Sequence, residues 1–268
     1  MYLLFEVGGT NTKIGFSENG ERIDYSEIFL TPKDFGSFID TLKEKSEGKD
    51  IKAISGGMPV VFDKNKLIIA SAHLPEWIGI SAQSKLEEAF SVKITLDNET
   101  SVAALGEAIK GAGRNYSIVA FITVGTGVGS SRIVDGKIDK KTLGFESGHQ
   151  IIVPEGESCS CGGKGHLEAY VGGYYIEKKY GQKAQDIKDE KIWDGITRNL
   201  AMGLYNMSVH WSPEIIILGG HVSQSINIEK LKKYLKEFST IFPEIPEIKF
   251  NELGDQSGLY GALELLKW

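Results

Sequence analysis

Between Phe145 and Glu168 the chain reads F-E-S-G-H-Q-I-I-V-P-E-G-E-S-C-S-C-G-G-K-G-H-L-E, which holds both cysteines of the protein and two of its five histidines. Cys159 and Cys161 are separated by a single serine, His166 follows five positions later across three glycines, and His149 lies ten positions upstream. Two thiolates and two imidazoles at these spacings can converge on one tetrahedral centre, and a mixed sulfur and nitrogen set favours Zn²⁺. Four protein donors close the coordination sphere, so the expected ion is structural, whereas a catalytic zinc keeps one position open. The same residues also read as a loop with two incidental thiols, or as a vicinal redox pair. Glycines on both sides and two histidines within reach favour the metal. Glu146 and Glu168 sit just outside the donor positions.

A second kind of chemistry lies in the Gly/Thr turns. Residues 2–7 form a short apolar run, Gly8-Gly9-Thr10 turns the chain, and an alternating stretch resumes at 13–16 and continues across Asn19-Gly20, the pattern of consecutive hairpins. Residues 117–124 form a buried strand, T-V-G-T-G-V-G-S follows, and 131–134 return before Asp135-Gly136. Such turns leave backbone N–H groups uncovered by side chains, as a phosphate requires, and Thr10 and Asn11 add side-chain donors. A Gly-Gly-Thr turn alone reads more readily as a tight hairpin. Together the two turns suggest two halves built alike that clamp a nucleotide triphosphate. The P-loop pattern G-x-x-x-x-G-K-[ST] and the dinucleotide-binding glycine spacing are both absent.

The elements that must position these groups alternate between strand and helix, which argues an α/β fold. Residues 34–45 read as an amphipathic helix capped by Asp34. A strand at 51–55 is expected to end in a bend at Gly56-Gly57-Met58-Pro59, where open sheets place ligands. Residues 68–77 read as loop, with His73 and Trp77 as either pocket walls or ordinary packing. A strand at 92–96 leads through Asp97-Asn98-Glu99-Thr100 into an Ala-rich helix, where the polar groups are either caps or a site at the strand end. Ala103, Ala104 and Gly106 there allow close helix packing. Helices are expected at 169–179, 193–211 and 231–238, strands at 215–218 and 245–251, and a last helix at 258–266. Gly219-Gly220 after the 215–218 strand reads as close approach to an adenosine or as a plain strand-to-helix turn.

A length of 268 residues supports two domains, placed at 1–114 and 115–268 with the terminal helix free to pack back on the first. The net charge of −6 is spread without long runs of one sign, which argues against nucleic acid as a partner. The opening M-Y-L-L-F-E-V-G-G has no basic segment and no apolar run reaches membrane-span length, so the expected compartment is the cytoplasm, where closely spaced thiols fit a metal loop better than a disulfide.

Taken together, E-V-G-G-T-N-T-K, L-D-N-E-T-S-V-A-A-L-G-E, T-V-G-T-G-V-G, E-S-G-H, C-S-C-G-G-K-G-H-L-E and I-I-L-G-G resemble, in order and over nearly the whole chain, the sugar kinases of the ROK family (repressors, open reading frames and kinases). The resemblance implies a two-domain actin-like ATPase fold of the ribonuclease H type, with a zinc-binding loop. A winged-helix segment precedes the kinase part in the family's repressors, and here the first strand begins at Tyr2, so the kinase branch is expected. It further implies sugar hydroxyls on Asn98, Glu146, His149 and Glu168, with His149 also ligating zinc beside Cys159, Cys161 and His166. Nucleotide phosphates are implied at Gly8, Gly9, Thr10, Thr126 and Gly127, with Mg²⁺ bridging them near Glu6, and the adenosine near Gly219 and Gly220. The expected assembly is a homodimer.

Four positions depart from the family pattern. Glu6 stands where the first motif has Asp, Glu99 where an Asp supplies the catalytic base, and His73 where an Asn usually helps hold the sugar. His166 replaces a Cys, a change zinc tolerates. The expected activity is ATP-dependent phosphorylation of glucose or a related hexose or N-acetylhexosamine, with Glu99 as general base; the alternative is a sugar-binding protein that keeps the scaffold and has lost turnover.

Overall fold

Ten elements carry the first half of the chain: β1 (Tyr2–Val7), β2 (Asn11–Ser17), β3 (Tyr25–Leu30), α1 (Phe35–Lys45), β4 (Ala53–Met58), β5 (Val61–Phe62), β6 (Ile68–Ala70), α2 (Ala82–Phe90), β7 (Lys93–Asn98) and α3 (Glu99–Lys110). The computed structural model describes residues 1–268. It divides the chain into one unit of Met1–Arg114, Gly136–Gly144 and Leu253–Trp268 and another of Asn115–Asp135 and Phe145–Glu252.

In the first unit the sheet order is β3-β2-β1-β4-β7, with β1–β2–β3 an antiparallel meander and β1, β4 and β7 parallel. Asp34 caps α1 as expected, its Oδ1 accepting from the Ser37 N–H at 2.8 Å. Two expectations fail here. Gly56, Gly57 and Met58 continue β4 instead of bending it, paired with Phe5, Glu6 and Leu96 to Asn98 of the neighbouring strands. Glycine is required because a Cβ on Gly56 would lie 2.3 Å from the Phe5 ring, so the strand survives where composition suggests a turn. Trp77 is no pocket wall. It is fully buried, its ring centroid 4.9 Å from Phe35 and 5.0 Å from Phe38, and its Nε1 donates to the Lys33 carbonyl at 2.9 Å. The surrounding 68–77 segment, expected as loop, contains β6 and a single 3₁₀ turn, Pro75–Trp77.

The C-terminal helix, Ser257–Leu265, packs on α3 at a distance only glycines permit. A Cβ on Gly106 would come within 2.2 Å of the Ser257 carbonyl oxygen, and one on Gly261 within 1.7 Å of that of Val102. The small residues read from the sequence of α3 therefore do serve close packing.

The second unit holds β8 (Ile118–Val124), β9 (Val128–Val134), α4 (Glu168–Val171), α5 (Gly173–Tyr180), α6 (Glu190–Trp211), β11 (Ile215–Gly219), α7 (Ile228–Phe238) and β12 (Glu247–Phe250), while β10 (Lys137–Ile138) falls in the 136–144 segment of the first unit. Within the second unit the sheet runs β9-β8-β11-β12, with β8 and β9 antiparallel and β8, β11 and β12 parallel. Its order repeats that of the first sheet: an antiparallel hairpin on one side of the leading strand, parallel strands on the other. The helix expected over 169–179 is broken at Gly172. The Gly173 N–H donates to the Gly125 carbonyl at 2.8 Å, and a Cβ on Gly172 would lie 2.8 Å from the Glu168 carbonyl, so the chain leaves the helix to meet the glycine turn after β8.

Candidate active site and metal centre

In the second unit the Cys and His positions converge. His149, Cys159, Cys161 and His166 bring one donor atom each within 4.8 Å of one another. The His149 and His166 Nδ1 atoms are 3.4 Å apart, Cys161 Sγ is 3.3 Å from His166 Nδ1, and Cys159 Sγ is 3.8 Å from His149 Nδ1. Zinc bonds of about 2.0–2.3 Å set the edges of a coordination tetrahedron at about 3.3–3.8 Å, so the donor set fits such an ion. The loop is shaped for it. Cys159 N–H donates to the Gly163 carbonyl at 2.8 Å, Gly162 and Gly165 take positive φ, and a Cβ on Gly165 would strike the Val153 carbonyl at 1.8 Å. Tyr175 holds the loop from α5: its hydroxyl accepts from the Ser160 N–H at 2.6 Å and donates to Cys159 Sγ at 3.5 Å. His149 turns Nδ1 to the cluster, which leaves Nε2 as the nitrogen for any second partner.

The two glutamates flanking the loop lie in the same unit. Glu146 precedes the 3₁₀ turn Ser147–His149, with the His149 N–H donating to the Glu146 carbonyl at 3.0 Å. Glu168 opens α4; its Oε2 accepts from the Val128 N–H at 2.8 Å and its Oε1 lies 3.8 Å from Cys159 Sγ. A Cβ on Gly127 would meet Glu168 Oε2 at 2.6 Å, so the turn carrying Thr126 and Gly127 closes directly on this carboxylate. Gly219 and Gly220 end β11, where a Cβ on Gly220, at φ +85°, would lie 2.4 Å from the Val124 carbonyl. That close approach accounts for the Gly-Gly pair without any ligand. His221, which sequence reading passed over, lies beside the same turn, 3.7 Å from where a Cβ on Gly125 would stand.

In the first unit the Gly8-Gly9-Thr10 turn is closed by the Gly8 N–H donating to the Asn11 carbonyl at 2.8 Å and is pinned by Thr31, whose Oγ1 donates to the Gly8 carbonyl at 2.8 Å. His73 packs on it, its Cβ 3.0 Å from where a Cβ on Gly9 would stand. Glu6 faces Lys13 at 3.9 Å, and the Lys13 ammonium also donates to the Asp255 carbonyl. Burial raises the Glu6 carboxyl above its usual range, Lys13 opposes this and the Asp255 charge adds to it. Gly258 makes room for Glu6: a Cβ there would lie 2.2 Å from its Cδ.

Asn98 caps α3, its Oδ1 accepting from the Thr100 and Ser101 N–H groups at 3.0 and 3.3 Å, while its Nδ2 donates to Glu99 Oε2 at 2.7 Å. Thr100 Oγ1 donates to the other oxygen, Glu99 Oε1, at 3.1 Å. A Cβ on Gly57 would be 2.8 Å from Glu99 Cα, so the glycine of β4 brings that strand against the start of α3. Asp97 is engaged elsewhere: Oδ1 accepts from Lys141 Nζ at 2.7 Å and Oδ2 pairs with Lys66 at 3.7 Å.

The sequence model of the ROK family matches residues 2–268. Among curated relatives, a glucokinase of Halalkalibacterium halodurans is 29% identical over 99% of this chain and 94% of its own, and an N-acetyl-D-glucosamine kinase of Yersinia enterocolitica is 27% identical over 98% of each. Among solved structures, a ROK hexokinase from Thermus thermophilus superposes with a TM-score of 0.86 at 25% identity, covering 98% of this chain and 97% of that one. A ROK family glucokinase from Streptomyces griseus, in complex with glucose and AMPPNP, gives 0.82 at 23% identity and 98% coverage of each chain. The α/β architecture is that of ROK kinases, the actin-like ATPase fold.

Proposed function

The chain belongs to the ROK family and is a sugar kinase, and from that premise we propose that it transfers the γ-phosphoryl group of ATP to a hydroxyl of a hexose or N-acetylhexosamine, with Glu99 as general base. The observation that carries the assignment is the fixed carboxylate at the β7–α3 junction, held by Asn98 Nδ2 at 2.7 Å and by Thr100. Phosphoryl transfer asks the protein chiefly for positioning and charge, so this carboxylate orients the attacking hydroxyl and accepts its proton. Asn98, Glu146, His149 through Nε2, and Glu168 hold the sugar hydroxyls, and His73 lies beside the first glycine turn in the place of a further sugar contact. Gly8, Gly9, Thr10, Thr126 and Gly127 offer backbone N–H groups to the phosphates, and Gly219 and Gly220 approach the adenosine. Glu6 would lie beside Mg²⁺, which would supply neutralisation of the phosphate charge when bound.

His149, Cys159, Cys161 and His166 hold Zn²⁺ as a structural ion. The ion keeps the loop between Glu146 and Glu168 in register and takes no part in the transfer. The protein works as a cytoplasmic homodimer. A second reading, a sugar-binding protein without turnover, draws on Glu6 and Glu99, where the family pattern has Asp. A coupled ADP-release assay with Mg-ATP across glucose, mannose, fructose, N-acetylglucosamine and N-acetylmannosamine separates the two. Turnover of at least one sugar is expected; sugar binding without turnover of any would favour the second reading.

A further inference from the structure

A cavity of ≈ 290 Å³ opens in the first unit beside Asn98, bounded by the β5–β6 hairpin, the 136–144 segment and the C-terminal Trp268. Its floor is a charge cluster: Lys141 Nζ donates to Asp97 Oδ1 at 2.7 Å and to Ser101 Oγ at 2.6 Å, and Lys66 Nζ pairs with Asp97 Oδ2 at 3.7 Å. The Lys141 and Asp97 side chains are only 15% exposed. Lys66 is held in an unfavourable backbone conformation, φ +59°, with its ammonium 5.3 Å from the Phe62 ring centroid. Its side chain makes only that ring contact and the long pair to Asp97, which leaves ammonium donors for a ligand. The opposite wall is apolar and open: Trp268 is 43% and Leu143 56% exposed.

Charge and size decide what fits. Three lysines (64, 66, 141) and three aspartates (63, 97, 139) line the cavity, so the ionised side chains sum to zero and give no field that selects an anion. The volume lies just below the range of about 300–1,000 Å³ for small-molecule sites, which suits one ring better than a nucleotide. Dense donors and acceptors beneath an exposed aromatic wall suit a neutral polyhydroxylated ring, whose hydroxyls bond the floor and whose C–H face lies on Trp268. Asn98 belongs both to this cavity and to the proposed sugar site.

We propose that this cavity is a subsite for a second pyranose ring, joined to the hexose that is phosphorylated, so that disaccharides are substrates. The inference rests on the kinase reading above for the position of the first ring. Its test uses the whole protein with Mg-ATP and glucose, cellobiose, maltose and N,N′-diacetylchitobiose, reading ADP release and, separately, binding by calorimetry, in wild type, Lys66→Ala and Trp268→Ala. Loss of a hydrogen bond to a charged group predicts that Lys66→Ala lowers kcat/KM for the preferred disaccharide about tenfold, with glucose changed less than about twofold. Glucose turnover with no binding or turnover of any disaccharide overturns the subsite and leaves the kinase reading standing. A disaccharide-to-glucose ratio unchanged in both variants also overturns it. Disaccharide binding that is weakened in Lys66→Ala, without turnover of any sugar, would support the subsite and contradict the kinase reading.

Discussion

Glu168 lies between two sites at once: its Oε1 is 3.8 Å from Cys159 Sγ in the metal-ligand cluster, and its Oε2 accepts from the Val128 N–H of the second glycine turn at 2.8 Å. Any disturbance of the cluster is therefore passed to a carboxylate assigned to the sugar and to a turn assigned to phosphate. The coupling is short, rigid and contained in one unit.

Purified protein should contain about one zinc per chain, and Cys159→Ser should lose it together with stability and sugar affinity. Metal analysis by mass spectrometry, thermal melts and calorimetric titration with sugar read the three quantities. Zinc loss with unchanged sugar affinity would refute the coupling through Glu168.

Tyr175 gives the cluster a support outside its ligands, with its hydroxyl 3.5 Å from Cys159 Sγ. Tyr175→Phe removes that hydrogen bond and the acceptor for the Ser160 N–H while keeping the ring packing, and losing a hydrogen bond to a metal-binding side chain weakens metal binding by about 10–100-fold. Competition against a chromophoric zinc chelator measures it. Affinity equal to wild type would show that Tyr175 only packs.

Glu6 predicts a conflict between stability and function. Burial raises its carboxyl pKa above the unfolded value, so the folded state prefers the protonated form. That preference favours folding below the unfolded pKa and is lost as pH rises through the folded pKa. Glu6→Gln should then melt higher than wild type at neutral pH, with the difference shrinking as the medium is acidified through the carboxyl's range, while Mg-ATP-dependent turnover is lost. A variant less stable at neutral pH than wild type would contradict the assignment of burial as the dominant cause.

Gly261 marks the contact of the C-terminal helix with α3. Gly261→Ala places a methyl 1.7 Å from the Val102 carbonyl oxygen, a backbone clash that cannot be relieved by a side-chain rotation. Overpacking of this kind costs about 1–3 kcal/mol, read as a lower midpoint in urea unfolding. An unchanged midpoint would mean that the helix shifts freely.

What sequence reading recovered was mainly local. Cys159, Cys161 and His166 lie within eight residues of each other, so their convergence needs only a glycine-shaped loop, and Asp34 announces itself as the cap of the helix that follows, whereas which of the polar groups at 97–100 caps α3 is not legible until Asn98 is seen to accept from it. Trp77 stays open between pocket wall and packing in the sequence because the short 68–77 segment has too little periodicity to show which face is buried. Gly56-Gly57 passed for a bend because the Phe5 ring that demands glycine comes from another strand. Lys141 on Asp97 and Lys13 on the Asp255 carbonyl join positions 44 and 242 residues apart, contacts that only the returning chain creates.

The most direct measurement is turnover and sugar binding of Glu99→Gln beside Asp97→Asn and wild type, on whichever hexose wild type phosphorylates. Glu99 is held by Asn98 and Thr100 at the start of α3, while Asp97 is tied to Lys141 and Lys66, so of these two neighbouring carboxylates Glu99 is the one proposed as the base. Glu99→Gln should lower kcat by about 10²–10⁴-fold with sugar affinity little changed, and Asp97→Asn should do much less. Near-normal turnover in Glu99→Gln would contradict the account.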